Sequence, residues 1–435
     1  MVTAVPWTAE RVAGLAPDPA SEKAGRALAT PAKWTGSGAS EDAVWGFCQG
    51  SGKKPYQTCV ELAEPAFRCS CPSRKFPCKH ALGLLLLWAA GRVSPAEAPE
   101  WVHSWLAERA DRARRAEKRA EAAGPKDEEA AARRASERAA RVEGGVAELK
   151  VWLTDRIGAG FAGFERNGGE ELRTVAARMV DAQAGGLAGG LRRAAGIVGR
   201  RDWPEALLAE LSLLYLLADS ATRLESLPPP LAETVRTRLG FSVETARVLE
   251  EGERVADDWL ITGAADEEND RLLTRRTWLR GLGTGRDALV LSFAPPGRPL
   301  DTSLPPGHRL TAELAFYPAA APLRALVAER GIPLAAPTAE GGSIAEALAT
   351  YARAVAADPW VERWPVLLSD VTPAEHGGGW CLSEKDGTAL PLVPYAFPWS
   401  LLALSAGAPL TVAAEWSPAG LRPLLCWHEN RAVRL

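Results

Sequence analysis

The sequence predicts an α+β multidomain chain, and three observations carry that prediction. A cluster of Cys and His between residues 69 and 80 is followed at once by an apolar helix-forming run. Residues 95–145 are rich in Ala, Arg and Glu and lead into segments whose apolar residues recur every three or four positions. From about Leu272 the period shifts to two, the spacing of a half-buried strand. The 435 residues suit two to four domains, and a hydrophobic content of 47% is ample for packed cores.

Residues 1–43 open with helical readings at Thr8–Leu15 and Ala20–Ala29, the second with small residues at packing spacing. Trp7 and Trp34 are expected to pack against the element that follows. That element is a hairpin. Residues 44–48 and 56–62 read as strands around the Gly-containing loop 49–55. The loop sequence GlySerGlyLysLys is not a P-loop, because Pro55 follows the Lys pair and the upstream Gly is missing. Lys53 and Lys54 thus form a doubly basic tip, for which solvation and phosphate contact remain open readings.

The next stretch reads FRCSCPSRKFPCKHALGLLLLW, residues 67–88. Cys69, Cys71, Cys78 and His80 form a C-x-C-x6-C-x-H array. Three thiolates and one imidazole suit tetrahedral Zn2+ at about 2.0–2.3 Å and leave no open position, which describes one structural ion. Pro72 and Pro77 bracket the six-residue knuckle and keep it out of a helix. Residues 81–90 then supply a helix that stops at Gly91. Cys48 and Cys59 are expected to face each other across the hairpin as small hydrophobes rather than ligands.

C-x-C, a variable knuckle, C-x-H and a following helix, preceded by a hairpin, resemble the SWIM-type zinc finger over about residues 43–91. The resemblance implies zinc at Cys69, Cys71, Cys78 and His80, and a module that binds DNA or protein. It makes residues 1–94 a zinc-finger domain. The Ala, Gly and Arg richness of the chain points to a high-GC bacterial genome.

Net charge is only −3, yet the charge is unevenly spread. Between Cys48 and Gly91 the basic residues Lys53, Lys54, Arg68, Arg74, Lys75 and Lys79 oppose two acids, a net of +4. Between Asp202 and Asp270 sixteen acidic residues oppose five basic ones, a net of −11. The six cations of the finger are therefore the candidate nucleic-acid contacts.

Residues 95–145 read as a charged helical linker, broken by GlyPro at 124–125. Its eleven basic and nine acidic residues between Glu108 and Glu143 sit at helical pairing offsets and nearly cancel. Residues 146–270 read as a helical domain with acidic loops. Gly185, Gly186, Gly189 and Gly190 interrupt it without forming a dinucleotide fingerprint, so close helix packing or a loop is expected. Residues 271–435 read as an α+β domain with strands at 277–281, 288–294, 309–317, 364–369, 379–383, 390–393, 409–416 and 422–427, and helices at Leu323–Glu329 and Ser343–Ala357. Trp360, Trp364, Trp380, Trp399, Trp416 and Trp427 crowd this part and are read as core. His376, Cys381, Cys426 and His428 form a weak second constellation for a metal, their two halves being far apart in sequence.

No nucleophile with its base, acid pair, phosphate loop or open metal site occurs at recognisable spacing, so the expected protein is not an enzyme and has no evident small-molecule substrate. The odd cysteine count and the lack of an N-terminal apolar signal point to the reducing cytoplasm. The longest apolar run is half of what crosses a bilayer, so no membrane partner is expected. Two functions remain: a zinc-binding interaction protein whose finger binds nucleic acid or protein, and an adaptor in a bacterial assembly with zinc purely structural.

Overall fold

The computed structural model describes residues 7–16, 19–49, 54–62, 66–73, 77–121, 128–269, 272–295, 300–394 and 398–435. Lys53, Arg74 and Lys75, and the GlyPro break at 124–125, lie outside them.

The chain begins with α1 (Ala9–Gly14) and α2 (Pro19–Leu28). Four strands follow, β1 (Trp34–Ala39), β2 (Ala43–Cys48), β3 (Tyr56–Glu61) and β4 (Ala66–Cys69), joined in sequence order as an antiparallel sheet. The expected hairpin is its central pair. Helix α3 (Lys79–Ala89) buries His80 through Leu87 against one face of this sheet. Close approach of α2 to α3 depends on Gly25 and Gly83. A Cβ at Gly25 would sit 2.8 Å from Leu82 Cβ, and one at Gly83 2.8 Å from Leu28 Cβ. Trp34 joins this core and donates from Nε1 to the Leu28 carbonyl at 2.8 Å, while Trp7 packs edge-on against Trp88 of α3. The opposite sheet face is covered by α4 (Glu100–Glu121), whose Val102 and Trp105 meet Trp45 and Cys59. Cys48 and Cys59 do not face each other. The register pairs Cys48 with Tyr56 and Trp45 with Cys59, so the two thiols enter different cores.

Helix α5 (Glu128–Ala159) runs unbroken across the boundary expected at 145/146. Its N-terminal half is charged, but Val142, Val146, Leu149 and Leu153 already belong to the bundle core. The linker's second half is therefore the bundle's first helix. The bundle continues through α6 (Phe164–Asp181), α7 (Gly185–Ala195), α8 (Trp203–Ala221) and α9 (Pro229–Leu239), with the short α10 (Thr245–Glu251) after it. The glycines at 185–190 are helical. A Cβ at Gly186 would lie 1.7 Å from the Arg238 carbonyl oxygen, so this residue lets α7 touch the end of α9.

The acidic stretch 250–270 is not a set of exposed loops. Most of it is β5 (Glu253–Asn269), which pairs with β6 (Leu272–Gly281) and with β8 (His308–Phe316). Cross-strand arginines offset its charge: Arg275 pairs with Asp266 at 2.7 Å and Arg276 with Glu267 at 2.6 Å. The boundary expected at 270/271 accordingly falls between two paired strands. β7 (Asp287–Ala294), β9 (Ala325–Arg330) and β10 (Leu334–Ala335) complete this sheet. The helix expected at Leu323–Glu329 is β9. Pairing with β8 overrides the helix propensity of its Ala and Leu residues.

Helix α11 (Ile344–Ala357) carries a capping box between Ser343 and Glu346. A second six-stranded sheet follows, from β11 (Trp364–His376), β12 (Gly379–Ser383), β13 (Ala389–Pro391), β14 (Leu410–Ser417), β15 (Gly420–His428) and β16 (Arg431–Arg434), with α12 (Trp399–Ser405) inserted. The two sheets meet through Leu260, Leu425 and Trp427. At the same interface the buried Glu415 accepts from Arg276 Nε at 2.9 Å and from Trp278 Nε1 at 2.8 Å. Trp360 leaves this region, enters the bundle core and donates to the Leu213 carbonyl at 2.9 Å. Trp364 and Trp427 are buried as expected, whereas Trp399 is 66% exposed. Among the described residues, no helix is long and apolar enough to cross a membrane.

Candidate metal centre

Each ligand of the predicted array is placed by a different local device. Cys69 ends β4, where pairing with Thr58 fixes its direction. Cys71 follows in the turn after the strand. Cys78 stands at the N-cap of α3 in an extended conformation, and His80 lies in the first helical turn. The four donor atoms all lie within 4.8 Å of one another. Nδ1 of His80 is 3.8 Å from Cys69 Sγ and 3.9 Å from Cys78 Sγ. Tetrahedral zinc with bonds of about 2.0–2.3 Å requires ligand separations of about 3.3–3.8 Å, so a small contraction closes the shell. The donor set and its spacing fit one zinc ion held by Cys69, Cys71, Cys78 and His80.

The surroundings favour thiolate at Cys69. The hydrogen bond from Cys78 is the largest influence on Cys69 and, against the opposing effect of burial, brings its thiol down to about 4. His80, Thr58 and the backbone N–H of Cys71 assist. The same hydrogen bond, with burial, pushes Cys78 up, and burial pushes Cys71 up. Backbone N–H groups of Ser73 and Ala81 bond the sulfurs of Cys71 and Cys78. Such N–H···S contacts orient ligands and spread their negative charge.

Two neighbours were not legible as site residues. Thr58 is fully buried, with Oγ1 3.3 Å from Cys69 Sγ. The Tyr56 ring packs against His80 at a tilt of 44°, with centroids 4.9 Å apart. They are two residues apart on β3, and only the strand register shows that this face looks at the metal.

The second metal constellation does not assemble. Cys381 lies on β12 and Cys426 on β15, with β11 and β14 between them. Among the described residues, the finger cluster is the one group of three or more potential metal-ligating side chains brought together.

A family model for the SWIM zinc finger matches residues 68–89. The chain carries a SWIM-type zinc finger. A second model, the SWIM-associated four-helix bundle domain, matches residues 137–239, which begins inside α5 and ends with α9. Comparison with curated proteins and with solved structures returned no match.

Of the described basic candidates, Lys54, Arg68 and Lys79 are all exposed, but they do not form one surface. Arg68 is opposite Cys59 in the register and lies on the face toward α4, away from the metal. Strand alternation explains this, since Cys69 next to it must face the ion. Lys33, which the sequence did not single out, is also exposed, and it and Lys79 both act electrostatically on Cys48. A cleft of about 620 Å3 opens beside the ligands, lined by Ser21, Gln49, Tyr56, Ser73 and Lys79 among others.

Proposed function

We propose that the SWIM-type finger is a non-catalytic module that binds nucleic acid, DNA foremost, in the cytoplasm. One observation carries this reading. Lys33, Lys54 and Lys79 are exposed on the finger, with Lys79 lining the cleft beside the ligands, while the finger's own Glu61 is neutralised by Arg109 at 2.7 Å. The cleft beside the ligands adds hydrogen-bonding side chains and the Tyr56 ring to those cations, a combination suited to sugar-phosphate with a stacked base. Zinc has a structural part in this scheme: it fixes the turn that carries Lys79.

The test is fluorescence anisotropy of the zinc-loaded protein with labelled single- and double-stranded DNA and RNA, titrated with salt. Binding that weakens steeply with salt and is reduced in a Lys33→Gln/Lys54→Gln/Lys79→Gln variant supports the reading. A second reading, an adaptor in a protein assembly, is favoured by a different cleft of about 500 Å3. Pro229, Pro230, Tyr317 and Pro318 line it together with Glu233 and Glu251. Absence of nucleic-acid binding at low salt selects that alternative.

A further inference from the structure

The decapeptide RRAAGIVGRR, residues 192–201, holds four arginines and no acid, within a bundle that is otherwise mixed in charge. It spans the end of α7 and the turn into α8. Because α6 and α7 form an antiparallel pair, the end of α7 lies beside the first half of α6. Gly169 of α6 lies against the Ala195 carbonyl oxygen, which a Cβ there would approach to 3.5 Å. Arg166 and Arg173 stand three before and four after Gly169, hence on its face of the helix; the Arg173 guanidinium lies 3.5 Å from where a Cβ at Gly169 would be, and that of Arg166 reaches back toward Gly163 at the start of α6. The guanidinium of Arg200 folds back toward Gly196, 3.7 Å from where a Cβ would be, and Arg192 is one turn earlier on the same face as Gly196. Phe161 packs on Trp203 with centroids 6.2 Å apart, holding the start of α6 against the start of α8.

The arginines at this corner fall into two groups. Arg193 is engaged by Glu210 and Glu362, both at 3.2 Å, and Arg173 by Glu170 at 3.1 Å. Arg201 is 97% exposed beside Asp202. Arg166, Arg192 and Arg200 are all exposed, and none has an ion pair or side-chain hydrogen bond among the described residues. Glu165 and Glu205 start the adjoining helices and are the acids nearest in sequence without such a partner. Three unpaired guanidiniums carried at this corner by two helices and a turn make a surface for a chain of phosphates, because each fork donates to two oxygens of one phosphodiester.

We infer that this corner of the helical bundle is a second nucleic-acid contact, binding the phosphodiester backbone through Arg166, Arg192 and Arg200. It shares the ligand class proposed for the finger and rests on that reading for the choice of nucleic acid over other polyanions. It uses different residues, so the two surfaces stand or fall separately.

The experiment measures binding of labelled duplex DNA by the full-length zinc-loaded protein from 50 to 200 mM salt. It compares the parent, a bundle variant (Arg166→Gln/Arg192→Gln/Arg200→Gln), its lysine counterpart at the same three positions, and the Lys33→Gln/Lys54→Gln/Lys79→Gln finger variant. Removing three phosphate contacts lowers the salt slope by about 2.7, so the affinity lost between the two salt concentrations shrinks about 40-fold relative to the parent. The lysine variant restores most of the slope, and all four proteins keep one zinc. An unchanged slope in the bundle variant, with the finger variant impaired, overturns the inference and leaves the finger reading intact. The reverse pattern upholds the bundle surface and removes the finger. Loss of DNA binding in every protein, with retained binding of labelled poly-glutamate that the bundle variant abolishes, reassigns the corner to an acidic protein and overturns the inference as stated.

Discussion

Replacing Cys78 by Ser tests the metal centre most directly. The substitution keeps the size of the side chain but exchanges a soft thiolate for a hydroxyl, at a residue 2% exposed that is both ligand and N-cap of α3. A structural zinc contributes on the order of 10–16 kcal/mol at neutral pH. Shared evenly over the four ligands, one bond is worth about 3 kcal/mol, or a loss of affinity of somewhat more than 100-fold. A domain's entire stability is of the same order as the zinc contribution, about 5–15 kcal/mol. The finger is therefore expected to lose metal under mild chelation and to open from α3 outward. The bundle core shares no buried residue with the finger core, so it should remain folded. The assay is zinc release to a chromogenic chelator, read alongside hydrogen exchange of residues 43–91. Cys48→Ser is the control, because Cys48 is equally buried in the same core but is not a ligand. Parent-like zinc affinity in Cys78→Ser would refute the ligand assignment.

Zinc binding near pH 7 should release the protons that Cys71 and Cys78 hold in the metal-free protein, both thiols being pushed up. Apparent affinity then rises about 100-fold per pH unit, which calorimetry in buffers of different ionisation enthalpy checks as two protons released. Gly186→Ala drives a Cβ into the Arg238 carbonyl and should destabilise the bundle by about 3 kcal/mol, whereas Gly185→Ala meets nothing within 4 Å and should be neutral or mildly stabilising in urea unfolding. Burial opposes ionisation of Glu415, but Arg276 and Trp278 outweigh it and hold the carboxyl below its ordinary range. Its contribution is thus present above the ordinary carboxylate value and is lost as pH falls through the depressed one. Glu415→Ala leaves Arg276 with only Glu267 and should cost about 3 kcal/mol in thermal or urea unfolding at pH 7, a difference that narrows in acid.

The metal centre and the helix behind it are local features, legible from residue order alone. Cys69, Cys71, Cys78 and His80 lie within twelve positions, and the apolar run from Ala81 allows one continuation. Information that local survives without knowledge of the fold. The α+β class, the extent of α11 and most strands were also legible, since period and capping are short-range signals. What failed was long-range. The segment Leu323–Glu329 has helical composition yet becomes β9 because β8 offers it backbone partners. The acids before residue 270 read as loops until arginines one strand away offset them. Thr58 and Tyr56 joined the metal site, and Arg68 left it, through strand register alone. Trp360 crosses into the bundle core, and the end of α7 comes beside Gly169 only because α6 and α7 turn back on each other. In each case the deciding energy comes from a contact between residues distant in sequence, which composition and period do not encode and tertiary packing does.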